Sequence, residues 1–364
     1  MSAADGATPA NAEAVQTRLQ FTGTGAAYFR IWIVHTLLTI LTLGVYSAWA
    51  KVRKARWFSQ HTRLLGDSFD YHGRPSRILV GRLLALVLLF AYAHSGEWSR
   101  MAGLATLGTL FAAGPLLLGS ALRFRSRNTS WRGMRFSFDA PPRELYVTCL
   151  PFLVALSASS LWVLVGPGRD GPKWLVLLSV LAFPAAHAAV KSLQHRRTRF
   201  ANLQFNMRPV TAAFYGLYGK VVLLGVAIGA LLHPLTSLSS TPAASAAILN
   251  IVALLTLYLL AWPYVATRMQ QLVWSRTSCG DITFQVHIRG LELWALLVRN
   301  MLLIVLTLGL YWPFAAVAIT RYRIQAMVLE SRTPFPEATM QAGTAPVSAV
   351  GDAASDFFGL DIGW

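Results

Sequence analysis

Six apolar runs dominate the middle of the chain: 77–96 with 101–122, 145–166 with 174–192, and 212–233 with 246–270. Each is close to the roughly 20 residues a helix needs to cross a bilayer. They come in pairs, and a short alternating stretch precedes each pair: Phe69-Asp70-Tyr71, Phe136-Ser137-Phe138 and Phe205-Asn206-Met207. Alternation over so few residues predicts a short half-buried strand. Leu19-Gln20-Phe21 and Phe284-Gln285-Val286 repeat the pattern at the two ends. The predicted fold is an α-helical polytopic membrane protein of repeated strand-helix-helix units, five strands and five helix pairs, occupying 18–330.

The units also share a spacing, Pro-x13-Thr-x6-Phe: Pro115, Thr129, Phe136; Pro184, Thr198, Phe205; Pro263, Thr277, Phe284. A partial copy has Ala48, Thr62 and Phe69, and another begins at Pro313. Turn residues precede each strand: Gly66-Asp67, Gly133, Asn202, Gly280-Asp281. Proline in the second helix of a pair is tolerated in a membrane and predicts a kink.

The outer units are shorter. Each of their helices would lose about nine residues, or roughly 13 Å. Thr42-Leu43-Gly44-Val45-Tyr46 matches Thr307-Leu308-Gly309-Leu310-Tyr311. One reading makes 26–60 and 290–328 short or re-entrant hairpins turning at these sequences. Hydropathy alone favours one full helix in each, at about 28–48 and 292–318.

Composition fits a membrane chain: 55% of residues are hydrophobic and 13% charged, against about 25% charged in a soluble domain. The net charge of +17 does not indicate nucleic acid, because the basic residues flank apolar runs and no basic helix stands free of them. If every pair starts and ends on one side, all but five of the 32 Lys and Arg residues lie at the strand side. Arg100, Arg169 and Lys173 fall on the other side, and Lys220 and Arg299 within helices. By the positive-inside rule the strand side is cytoplasmic, which favours the hairpin reading. The strands are therefore expected to form a cytoplasmic layer.

Residues 1–17 lack a basic region followed by an apolar core, so no cleaved signal peptide is expected. They and 331–364 are expected to be disordered tails, the second cytoplasmic. Cys149 and Cys279 form no CxxC, and neither a disulfide nor a zinc site is indicated.

The run from Phe21 to Pro75 resembles the YjgN-like family of bacterial inner-membrane proteins. Its marks are Thr42-Leu43-Gly44, Tyr46, Trp49, Lys51-x-Arg53, His61-Thr62 and Phe69-x-Tyr71-x-Gly73, with a second block at 307–313. The family usually has Pro where this chain has Ala48. The resemblance covers about 20–330. It implies a multi-pass protein of the bacterial inner membrane and implies no reaction.

Lys220 and Arg299 each stand 15 residues after a strand Phe. They are candidate cavity-lining residues, since an ionisable group at depth usually faces a cavity or partner; the alternative is snorkelling to the interface. His35 and Asn300, one position further along, are candidates for a polar path between the outer hairpins or for helix-packing bonds. His187, three residues after Pro184, is expected to bond to carbonyls freed by the kink. Lys51, Arg53, Lys54, Arg56, Arg123, Arg125, Arg196 and Arg197 are candidate contacts for anionic lipid headgroups. Trp57 and Trp131 are among the indoles expected at membrane interfaces.

No carboxylate sits mid-span, and no GxSxG, HExxH or P-loop pattern occurs. No enzyme activity, catalytic residue, metal ligand or cofactor is therefore predicted. The tail's Asp356-Phe357-Phe358-Gly359-Leu360-Asp361-Ile362-Gly363-Trp364 suggests docking, on this protein or a protein partner. Two functions are expected from different classes: a transporter or channel-like protein for an anionic or amphipathic solute, or a non-transporting scaffold or lipid-binding protein that recruits cytoplasmic partners.

Overall fold

A computed structural model describes residues 15–165, 173–201, 203–237 and 243–331. Among these residues five helix pairs follow one another: α1 (Gly25–Leu41) with α2 (Ser47–Gln60), α3 (Pro75–Trp98) with α4 (Arg100–Asn128), α5 (Pro142–Val165) with α6 (Lys173–Arg196), α7 (Thr211–Ser237) with α8 (Ala243–Trp274), and α9 (Gly290–Leu306) with α10 (Trp312–Gln325). Consecutive helices pack together, and α1 packs on α10, so the pairs form a ring.

Between helix pairs the chain forms a β-hairpin in place of the single strand that the alternation predicts. These are β3 (Thr62–Leu64) with β4 (Asp67–Tyr71), β5 (Thr129–Trp131) with β6 (Met134–Phe138), β7 (Thr198–Phe200) with β8 (Leu203–Met207), and β9 (Thr277–Cys279) with β10 (Ile282–Val286). Gly66, Gly133 and Gly280-Asp281, turn residues seen in the sequence, lie in the two-residue loops inside these hairpins, Asp67 opens β4, and Asn202 lies outside the described residues. Leu65-Gly66 and Arg132-Gly133 take positive φ at both positions, the geometry whose twist suits antiparallel strands. The first strand of each hairpin escapes prediction because three residues are too few to show alternation.

The repeat Thr is a structural device. Thr62, Thr129, Thr198 and Thr277 each donate a side-chain hydrogen bond to the carbonyl four residues back, at 2.6–3.2 Å. Each satisfies one of the open carbonyls at a helix end and starts a strand.

The hairpins join edge to edge in chain order. At the ends, β1 (Val15–Arg18) pairs with β11 (Met327–Ser331), and β2 (Gln20–Phe21) pairs with β3. Only Leu19 separates β1 from β2, so this one segment closes the antiparallel sheet of eleven described strands into a barrel-like ring. Val15 to Thr17, expected in a disordered tail, are thus in the sheet, as is Ser331. Along β8 and β10 the residues Phe205, Met207, Ile282, Phe284 and Val286 are buried, and Gln204, Asn206 and Thr283 exposed. The ring is polar outside and apolar within.

The outer units are hairpins of two helices, not single long ones. The breaks fall at 42–46 and 307–311, with matching geometry. Leu43 and Leu308 sit at φ 50°, Gly44 and Gly309 at φ 93°. Gly44 N–H donates to Thr39 O and Leu43 N–H to Ile40 O; Gly309 and Leu308 repeat this with Ile304 and Val305. That is a Schellman cap, which closes open helix carbonyls. Thr42 Oγ1 then accepts from Tyr46 N at 3.0 Å, as Thr307 Oγ1 does from Tyr311 N at 3.0 Å. The tips are apolar: Leu43 and Leu308 are each 95% exposed.

Candidate functional site

The two outer hairpins stand side by side. Phe29 stacks on Phe314 at 5.5 Å, and Arg321 donates to Gly23 O at 2.6 Å. A Cβ on Gly25 would come within 2.5 Å of Phe314, so glycine permits the close packing of α1 on α10. Their short helices leave a cavity of about 920 Å³. It runs from Ile40 and Ile304, in the last turns of α1 and α9, down to Phe205, Phe284 and Leu329 inside the barrel. α4 and α8 supply further wall.

The wall is mostly apolar and its charge is of one sign. Lys51, Lys54, Arg82, Arg125 and Arg323 line it, and no Asp or Glu among the described residues does. Arg125 is only 8% exposed. Arg323 is held from α8: its Nε donates to Gln270 Oε1 at 2.7 Å, and Gln270 Nε2 donates back to Arg323 O at 3.0 Å. Arg82 Nη1 donates to Ser47 Oγ at 2.6 Å, which brings a cation from α3 to the start of α2. Carboxylates pair with cations outside the cavity: Asp67 with Arg132, Glu144 with Arg197, Glu292 with Arg289.

Asn300 is the sharpest feature of the wall. It is 2% exposed, and neither its Oδ1 nor its Nδ2 has a hydrogen-bond partner. His35 Nδ1, also in the lining, is buried without a partner too. Most buried polar groups are bonded, so this pair is an exception at the place where the two outer hairpins meet the cavity. No group of three or more His, Cys, Asp or Glu among the described residues is placed to hold a metal ion.

The sequence candidates divide. His35 and Asn300 do line one cavity. Lys220 and Arg299 do not: both are exposed and outside the lining. A step of one residue turns a helix by about 100°, so Arg299 faces away while Asn300 faces in. Arg125, expected at headgroups, is buried in the cavity wall, and Lys51 and Lys54 line it as well. Arg53 and Arg196 are exposed and Arg123 half-buried. Arg56 donates to Tyr71 O at 3.3 Å, and Arg197 pairs with Glu144 at 2.7 Å. His187 bonds to the Tyr218 hydroxyl at 2.7 Å and not to a kink carbonyl. Near two helix prolines a tyrosine hydroxyl reaches the backbone instead: Tyr215 donates to Leu181 O and Tyr146 to Ala112 O, each three residues before the proline and next to the carbonyl that the proline frees. Trp57 and Trp131 are core residues of the barrel end. Arg82, Gln270 and Arg323 join the site without having stood out in the sequence. Arg82 and Arg323 read there as topology charges, and nothing in the sequence marks the uncharged Gln270.

Four helices among the described residues are long and apolar enough to cross a membrane. With the strand ring, they define a mostly helical membrane protein seated on a small antiparallel barrel. The chain belongs to the family described as bacterial protein of unknown function (DUF898), whose model matches residues 16–357. It is 26% identical over 349 residues to the inner membrane protein YjgN of Salmonella typhimurium (strain LT2), covering 84% of this chain and 87% of that protein. It is 31% identical over 146 residues to the protein of the same name from Escherichia coli (strain K12), covering 39% of this chain and 36% of that one. No solved structure matches.

Proposed function

We propose that this chain is a multi-pass inner-membrane protein of five repeated units, with the strand ring cytoplasmic, whose cavity binds an anionic amphiphile and passes it between membrane and cytoplasm. The observation that carries the reading is the cavity: apolar walls, five cations, no carboxylate among the described residues that line it, and the unpartnered Asn300 amide. A buried cation is costly in low dielectric, and an anion with an apolar body suits both parts of this wall. The exposed Leu43 and Leu308 suit hairpin tips that end in lipid. Non-helical backbone at membrane depth must be satisfied by protein, and the Thr and Schellman bonds do this. The role is one of binding and passage, not of catalysis.

The test uses purified protein in neutral-lipid proteoliposomes and a dansyl-labelled fatty-acid anion. Saturable fluorescence enhancement is expected, weakened at least about ten-fold when Arg125→Gln and Arg323→Gln are combined. The same probe with a quaternary ammonium head should not bind. Transfer of the anion across the vesicle membrane supports transport. Binding without transfer supports a lipid-binding role instead, and absence of binding sinks both.

A further inference from the structure

The tail has the chemistry of a ligand for this cavity. After Arg332 the sequence holds no Lys or Arg, while Glu337, Asp352, Asp356 and Asp361 are acidic. In a chain of net charge +17 that is a marked segregation. Residues 356–364 add Phe357, Phe358 and Trp364 to two of those carboxylates. They lie outside the described residues, and their relation to the cavity is one of chemistry and reach.

The cavity offers complements to both features. Trp131, Phe136, Phe200, Phe205, Trp274 and Phe284 form its barrel wall. These rings already pack against each other, with Phe136 and Phe200 at 4.8 Å and Trp274 and Phe284 at 4.9 Å. Arg125 and Arg323 line the same cavity.

Reach favours the chain's own tail over a partner. β11 ends at Ser331, and Leu329 in β11 is itself part of the cavity wall. Residues 332–355 lie between β11 and segment 356–364, and a coil of that many residues would reach roughly 27 Å. A tethered segment meets its site at an effective concentration near millimolar, which an untethered partner must match. The family match also continues past the barrel to residue 357, so it takes in the linker and Phe357.

We propose that segment 356–364 docks in the chain's own cavity, its aromatic rings on the barrel wall and its carboxylates toward Arg125 and Arg323. It then acts as a self-ligand that the anionic amphiphile must displace. The displacement rests on the function proposed above; the docking does not.

The experiment places benzoylphenylalanine at position 358 of the full-length protein in proteoliposomes. After illumination, crosslinked peptides are mapped by mass spectrometry, with mixed isotope-labelled chains to tell self from a second copy. Crosslinks within one chain to cavity-lining segments of β8, β9, β10 or α8 are expected, reduced at least about three-fold in the Arg125→Gln/Arg323→Gln variant. A second arm deletes 356–364 and measures the dansyl fatty-acid anion, whose apparent affinity should rise at least about three-fold. A synthetic peptide of the nine residues should bind the deleted form and weaken as salt rises. Crosslinks to a second copy, to another protein, to lipid or to the barrel's outer surface overturn the proposal. Cavity crosslinks with no amphiphile binding in the deleted form leave the docking standing and sink the function. Unchanged amphiphile affinity together with crosslinks elsewhere does the reverse.

Discussion

Replacing Asn300 with leucine should stabilise the protein and impair its binding. Asn300 is 2% exposed, and both of its amide atoms lack partners. An unsatisfied buried polar group costs about 1–3 kcal/mol, and leucine has the same number and branching of side-chain heavy atoms as asparagine. Its neighbours in the wall, Leu297, Met301 and Ile304, are apolar. Asn300→Leu should therefore gain between about 1 and 4 kcal/mol. For a chain of this length 1 kcal/mol moves the melting temperature by roughly 1–2 °C, extending the trend for smaller domains, so a rise of roughly 1–8 °C is expected. The assay is thermal unfolding in mild detergent, followed by intrinsic fluorescence, with and without the dansyl fatty-acid anion. A bound ligand stabilises by mass action, and that increment should shrink in the variant. If the melting temperature falls instead, Asn300 has a structural partner in the native protein and its reading as a ligand-facing amide is refuted.

Three further outcomes follow from other parts of the structure. Gln270→Leu removes the two hydrogen bonds that hold Arg323 and should cost about 2–4 kcal/mol, read as a lower melting temperature, together with weaker binding of the anion. Thr307→Val leaves Tyr311 N–H without its acceptor and should cost about 1–3 kcal/mol; Thr42→Val should match it within error and Thr307→Ser should be near neutral. Burial pushes the Cys279 thiol in β9 up to about 11 from 9.0, so at pH 8 it should react with maleimide far more slowly than after unfolding, measured in a Cys149→Ser background. Because the folded value is the higher one, this thiol's contribution to stability is full below about pH 9 and lost between 9 and 11.

Helix pairing is legible in the sequence because a run of about 20 apolar residues is the length that spans a bilayer and far exceeds a buried strand. The outer hairpins are legible only through comparison of the two ends, since hydropathy reads 28–48 as one helix. The Schellman bonds that break the helix are backbone bonds, and only the Leu-Gly pair marks them. Ring closure has no sequence signal: nothing in Val15-Gln16-Thr17-Arg18 says that its partner is β11, some 310 residues away. The site is half visible. His35 and Asn300 stand at matched positions in the two outer units, whereas Lys220 and Arg299 are marked by depth alone. Depth does not fix which side of a helix a residue takes, and both face outward. Arg125 reads as a rim charge in the sequence because Arg123 and Arg127 stand two residues away on either side. A helix places such residues on different faces, and of the three only Arg125 is buried.

The cavity's position follows from a departure from regularity. The long pairs α3–α4, α5–α6 and α7–α8 have helices of 24 to 32 residues. The two outer pairs have helices of 17 and 14. Both short pairs are adjacent in the ring, because chain order and the closing strand bring the first unit against the last. Five equal pairs would leave no preferred place for an opening. Two neighbouring short ones, turned back by Gly44 and Gly309, leave a cavity between themselves, α4 and α8. The same adjacency sets His35 of one hairpin and Asn300 of the other into one wall. Lengthening one hairpin by a full helical turn on each arm should then close the cavity and abolish amphiphile binding while the barrel remains folded, which far-UV circular dichroism and Cys279 protection would report separately.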